Sequence, residues 1–196
     1  MRALPFLAFA LFLSPALLAA SLTIDVRNAQ GTAVTGAVVY AIPEDHRVPP
    51  PKRTAIMDQK NRMFVPHILP VQTGTSVFFP NSDDIRHQVY SFSPAKTFQL
   101  PLYKGTPGTP IRFDKSGVVA LGCNIHDRMS AYIVVVDTPH FALTGKDGRV
   151  ELASLSAGAY LVHVWTPAMN EEPAPIPVTL GPSERKTLSV PVRATP

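Results

Sequence analysis

Apolar and polar residues alternate one for one over much of this chain. Leu22, Ile24 and Val26 are interleaved with Thr23, Asp25 and Arg27, a period of two that predicts a strand with one buried face. The turn residues Asn28-Ala29-Gln30-Gly31 follow, then Gly36-Ala37-Val38-Val39-Tyr40-Ala41-Ile42, and the two segments read as a hairpin. Ile133-Val134-Val135-Val136 is short, continuous and β-branched, which predicts a buried strand. Beyond it, Phe141-Ala142-Leu143-Thr144, the turn Lys146-Asp147-Gly148-Arg149 and Val150-Glu151-Leu152 predict a second hairpin, because Asp-Gly suits a tight two-residue turn. Tyr160 to Trp165 alternates again, with Leu161, His163 and Trp165 on one face. A Pro-rich loop from Thr166 to Pro175 leads to strands near Ile176 to Leu180 and Lys186 to Val192. The expected fold class is all-β. Phe78, Phe79, Phe92, Phe98 and Phe113 are expected in its core.

The first twenty residues follow a different rule. Met1-Arg2, the nearly unbroken apolar stretch Ala3 to Leu13, the break Ser14-Pro15 and the small residues Ala16 to Ala20 have the layout of a secretory signal peptide over residues 1–20. The stretch is shorter than the roughly 20 residues of a spanning helix, and no Cys follows to take a lipid. The expectation is a periplasmic or otherwise exported chain with no membrane span after cleavage. With 196 residues and 45% of them apolar, the chain can build one ordinary domain or two small ones, which excludes disorder. Its formal net charge of +4 is scattered, which argues against a nucleic-acid-binding face.

Export changes the meaning of the single cysteine. Cys123 has no disulfide partner in an oxidising compartment, so its thiol needs burial or a ligand. It opens Cys123-Asn124-Ile125-His126-Asp127-Arg128-Met129, a C-x2-H-x2-M spacing that random placement yields about once in a thousand. Thiolate and thioether are soft donors for Cu(I), and imidazole serves both copper oxidation states. Two histidines, one cysteine and a weak methionine form the blue-copper donor set, so a second histidine is required. His87 is favoured, because an apolar strand ends at Phe78-Phe79-Pro80, an Asn81-Ser82-Asp83-Asp84 turn follows, and the chain re-enters a strand at His87. Strands of this length bring His87 to Phe92 beside Gly117 to Gly122. Bland alternatives stand beside this reading: Cys123 as a small buried hydrophobe, Met129 as core filler, and His87 as a turn residue. His67 is a spare ligand or a strand-edge histidine, His163 a core or interface residue, and His46 and His140 loop residues.

Asn61 to Pro66, Val71 to Asp83, His87 and Cys123-x2-His126-x2-Met129 together resemble the cupredoxins of plastocyanin and amicyanin type. The short ligand loop is most similar to that of amicyanin, and exported proteins of this layout often carry the label methylamine utilization protein. The resemblance covers roughly Arg53 to Asp137. It implies a Greek-key β-sandwich with one type 1 copper, His87, Cys123 and His126 as equatorial ligands and Met129 as the axial one. Two positions depart from the pattern. Gln88 follows the first histidine where cupredoxins commonly have Asn, and Asp127-Arg128 stands where amicyanin has Pro and an aromatic. Backbone N–H groups near Asn81 and Gln88 are expected to donate to the Cys123 sulfur.

The outer segments carry a second resemblance. Gly31-x4-Gly36-Ala37-Val38-Val39, with Leu143 to Leu152 and Leu155-x2-Gly158-Ala159-Tyr160, is similar to the carboxypeptidase regulatory-like, transthyretin-like β-sandwich, in which the two pieces lie close in sequence. This implies a small Ig/transthyretin-like sandwich built from 21–52 and 138–196, with the cupredoxin of 53–137 inserted, and Pro43 to Lys52 as a stiff linker. The alternative gives Leu22 to Ile42 to the cupredoxin; pairing of Val38 separates the two. The functional expectation is electron transfer to a redox protein, a haem protein or a dehydrogenase, at the His126 edge. A copper carrier or sensor and a structural module are the alternatives. No H-x-H pair, H-E-x-x-H helix or G-x-S-x-G elbow occurs, so an enzyme is not expected.

Overall fold

The structure, a computed structural model, describes residues 19–45, 49, 53–126, 128–169 and 172–193. The signal segment up to residue 18, most of the expected linker, His46 and Asp127 lie outside the described residues. The described chain is all-β, and no helix in it is long and apolar enough to cross a membrane. The strands are β1 (Ala20–Asn28), β2 (Val38–Pro43), β3 (Thr54–Ile56), β4 (Asp58–Lys60), β5 (Met63–Val65), β6 (Ile68–Gln72), β7 (Thr75–Phe78), β8 (His87–Ser93) and β9 (Lys96–Tyr103). They continue as β10 (Ile111–Phe113), β11 (Gly117–Gly122), β12 (Ser130–Val136), β13 (Phe141–Leu143), β14 (Arg149–Leu155), β15 (Gly158–Trp165), β16 (Ile176–Leu180) and β17 (Arg185–Val192).

Sheet β14-β1-β17 faces sheet β13-β2-β15-β16. The alternation Leu22, Ile24, Val26 supplies one wall of the core between them, and Val39, Ala41, Tyr160, Val162 and Val164 supply the other. A second core lies among β10-β7-β3, β6-β12-β11-β8-β9 and the β4-β5 hairpin, and contains Val77, Val89, Phe113, Val119, Ile133 and Val135. Val38 stands opposite Trp165 and Leu143, within the first set of sheets.

A third cluster joins the two sets. On β12, Ile133 and Val135 enter the second core, while Val134 and Val136 point the other way onto Val38, Tyr40 and Trp165. The β-branched run is continuous because both faces of this strand are covered. On β2 the same alternation sends Val39 and Ala41 to one core and Val38 and Tyr40 to the junction. His163 lies at this junction: its ring stacks on Tyr40 at 4.6 Å and its Nδ1 lies 3.1 Å from Glu172 Oε1. Glu172 also accepts the Tyr40 hydroxyl at 2.9 Å. The bond to His163 holds the Glu172 carboxyl below the usual carboxylate range despite its burial.

Two expectations fail here for one reason. Both predicted hairpin turns form, yet their flanking strands do not pair with each other. At the first, Gly31 N–H donates to Asn28 O at 3.0 Å, but β1 pairs with β14 and β17 while β2 pairs with β13 and β15. At the second, Gly148 N–H donates to Gly145 O at 3.0 Å, but β13 joins β2 and β14 joins β1. Each connection carries the chain from one sheet to the facing one, so both apolar faces reach the same core. Phe92 is a further correction. Val89 and Ser91 point inward, so Tyr90 and Phe92 face outward and Phe92 is 75% exposed. Phe79 and Phe113 are buried, Phe98 packs at the edge of that core and Phe78 is half-buried.

Candidate metal centre

The C-x2-H-x2-M segment is the connection between β11 and β12. Gly122 pairs with Ser130 and closes the loop at its base. Inside it, His126 N–H donates to Cys123 O at 3.4 Å and Met129 N–H to His126 O at 2.9 Å. Two successive i→i+3 turns therefore run from residue 123 through 126 to 129, at the spacing of the motif. Cys123 and Met129 are 4% and 2% exposed and belong to the same core cluster.

His87 arrives from the neighbouring strand. It is the first residue of β8, whose Tyr90 pairs with Gly122. A bulge between His87 and Val89 buries His87, Gln88 and Val89 in succession, breaking the alternation at this end of the strand. The His87 side chain is fully buried. Its Nδ1 lies 3.9 Å from Cys123 Sγ, and its ring centroid is 5.1 Å from that of His126. One donor atom from each of His87, Cys123 and His126 lies within 4.8 Å of the others. His67 is exposed and packs edge-on against Tyr132, His140 packs against Tyr160, and His163 sits at the junction. Of the described histidines, the cluster thus takes the two that the sequence reading favoured.

Two nitrogens decide what this cluster can hold. His126 Nδ1 is buried and has no hydrogen-bond partner, a state that costs about 1–3 kcal/mol in a protein interior. His87 Nδ1 faces the thiol, while Nε2 at the other side of the ring lies 2.7 Å from Asp83 Oδ2. Two imidazole nitrogens and one sulfur, converging and short of polar partners, fit a transition metal that accepts both donor types, copper among them.

The loop before His87 is locked in place. Asn81 Nδ2 donates to Ile85 O at 2.9 Å and to Tyr103 O at 2.8 Å, and Asn81 Oδ1 accepts Asp83 N–H at 3.0 Å. The expected donation from the Asn81 backbone to the Cys123 sulfur is absent: that N–H goes to Gly105 O at 2.8 Å. Tyr103, opposite His87 on β9, donates to Phe79 O at 2.7 Å and accepts from Gln59 Nε2. Burial pushes its phenol up to about 12. Sequence reasoning missed Asp83, whose only signal was a carboxylate four residues ahead of a histidine. Burial pushes its carboxyl up, but the Arg62 N–H, the His87 ring and the Asn61 N–H outweigh this and hold it below the usual carboxylate range.

Gly122 explains how closely β8 and β11 approach beside the cysteine. A Cβ at Gly122 would stand 2.5 Å from the Tyr90 ring. Gly122→Ala is expected to cost about 1–3 kcal/mol in a urea melt, the range for overpacking. The cost should shrink below about 0.5 kcal/mol in a Tyr90→Ala background, where the two sites no longer touch.

No protein-family model matches the chain, and no curated protein matches it. Solved structures do. A copper-containing nitrite reductase from Thermus scotoductus is 23% identical over 50% of this chain, with a TM-score of 0.40; the match spans 26% of that enzyme. A purple cupredoxin from Nitrosopumilus maritimus is 20% identical over 42% of this chain and 99% of its own, with a TM-score of 0.37. Amicyanin from Paracoccus versutus is 14% identical over 50% of this chain and 98% of its own, also at 0.37. These likenesses extend over at most half of the chain, and the chemistry of the site rests on its own side chains.

Proposed function

We propose that this chain is an exported electron-transfer protein that holds one copper ion in a type 1 site, with His87, Cys123 and His126 as its strong ligands and Met129 as the weak fourth. The observation that carries the reading is the convergence of one donor atom each from His87, Cys123 and His126 within 4.8 Å of one another, with His126 Nδ1 buried and without a hydrogen-bond partner. Bound copper would supply a one-electron couple, and a donor set suited to both oxidation states keeps rearrangement small. The chain's own part is to exclude water and fix the donors. Cys123 and Met129 are held between paired strands, and His87 is set by a loop in which Asn81 donates three hydrogen bonds and accepts one. His126 is the half-buried ligand, between exposed Ile125 and Arg128, so its edge is where a redox protein of the haem or dehydrogenase kind would approach. Burial of the other donors favours a resident ion over the exchangeable one of a carrier, and a fourth protein donor leaves no open position for a substrate. The sandwich of β3–β12 acts as the copper-holding unit, inserted into the sandwich of β1, β2 and β13–β17, which serves as its scaffold.

The test is a Cu(II) titration of the chain without its first twenty residues, followed by visible absorption and EPR. One equivalent of copper should give an intense thiolate-to-copper band with narrow copper hyperfine splitting. A weakly coloured complex with ordinary splitting, or loss of the ion to a mild chelator, would remove the electron-transfer reading.

A further inference from the structure

The site contains one strong contact that the ligand set itself does not explain. Asp83 Oδ2 lies 2.7 Å from His87 Nε2, and the two side chains are 12% and 0% exposed respectively. The same carboxylate is anchored from the other side: Asn61 N–H donates to Oδ1 at 2.6 Å and Arg62 N–H to Oδ2 at 2.9 Å. Asn61 and Arg62 form the two-residue turn of the β4-β5 hairpin, and both stand in the left-handed region, at φ 56° and 58°. That conformation is uncommon for an arginine, and here it turns two successive N–H groups onto one carboxylate. The loop adds a third restraint, since Asp83 N–H donates to Asn81 Oδ1 at 3.0 Å.

We propose that Asp83 is a positioning residue: held by the Asn61-Arg62 turn, it fixes His87 in the Nε2–H tautomer and so keeps Nδ1 free as a metal donor aimed at Cys123. The logic is that of a donor count. An ionised carboxylate only accepts, so the proton between the two side chains belongs to Nε2, and a neutral imidazole then has a lone pair at Nδ1. Outer partners of this kind set the ring orientation of metal-ligating histidines, and their loss typically lowers metal affinity about 10- to 100-fold. The inference rests on the copper reading above, and it adds a residue and an element, the β4-β5 hairpin, that the ligand motif does not include.

Asp83→Ala is the informative change, because it removes the acceptor facing Nε2, whereas an amide could turn its oxygen to the same place and keep the bonds to His87 and Arg62. The experiment reads the ring nitrogens of His87 by long-range 1H–15N NMR in the metal-free chain, wild type and Asp83→Ala, and then titrates both with Cu(I) against a competing chelator. The expected results are Nε2–H in the wild type, loss of that preference in the variant, and an affinity lower by about 10- to 100-fold. A wild-type His87 protonated on Nδ1, or a variant with unchanged tautomer and affinity, overturns the proposal. The wild-type spectrum decides even if the variant does not fold. A chain whose His87 carries Nε2–H but which takes up no copper overturns the copper reading itself, a result distinct from the wrong tautomer.

Discussion

Ile24→Ala and Ile133→Ala are each expected to destabilise the protein by about 3 kcal/mol, within the range for emptying a fully buried isoleucine site, and each should do so in a different unfolding transition. Both side chains are fully buried. Ile24 lies in the core made by residues of β1, β2 and β14–β17, and Ile133 in the core that also contains Cys123 and Met129. The two cores share no buried residue. Among the described residues, their junction has only Val38, Val134 and Val136 fully inside it, with Tyr40, Ile68, Phe141 and Trp165 partly covered. Calorimetry of the copper-loaded chain, with the visible band followed in parallel, checks this. Ile133→Ala should lower the midpoint at which the band is lost. Ile24→Ala should leave that midpoint within a few degrees of wild type while the other transition falls by about 10 °C or more. A single transition shifted equally by both would mean that the junction couples the sheets into one cooperative unit, and the inserted-domain reading would be withdrawn.

That experiment bears on what was legible from the residues alone. The alternation in β1 and β15 and the β-branched run of β12 reported strand and burial correctly, because the period of a strand is a local property. Which strand pairs with which is not local. The turns at Asn28 to Gly31 and at Asp147-Gly148 form as their residues dictate, yet both connect facing sheets, a choice made by the core between them. Phe92 was misplaced because composition favours burial of an aromatic, whereas the register of β8 sends it outward with Tyr90. At the site, the grouping of Cys123 and His126 with His87 was legible because cysteine and histidine stand at the spacing of a turn. Asp83 was not, since its carboxylate serves a hairpin more than twenty residues upstream through contacts that only the folded chain creates.

Cys123→Ser should abolish the intense visible band altogether, whereas Met129→Leu should keep it. The difference follows from what each side chain does. Cys123 provides the only thiolate in the chain, and the band is a transfer of charge from that sulfur to copper, so a hydroxyl of nearly the same shape leaves no donor orbital for it. A thiolate is also the soft partner that holds Cu(I); the serine variant should therefore lose Cu(I) to a chelator that the wild type resists. Serine fits the volume of a site that is 4% exposed, but it places a hydroxyl there beside the unpartnered His126 nitrogen. The metal-free variant keeps the size of the buried side chain, and its fold should survive. Met129 is different, because a long axial bond adds little to the charge transfer and acts mainly on the reduction potential. Leucine matches its volume, so the core cluster containing residue 129 should stay filled at a cost under about 1.5 kcal/mol. The colour should remain and the potential should rise, since removing a donor destabilises Cu(II) more than Cu(I). Visible spectra and potentiometry of the two variants check both statements. A coloured serine variant would take the cysteine out of the site, and a leucine variant with unchanged potential would reduce Met129 to packing alone.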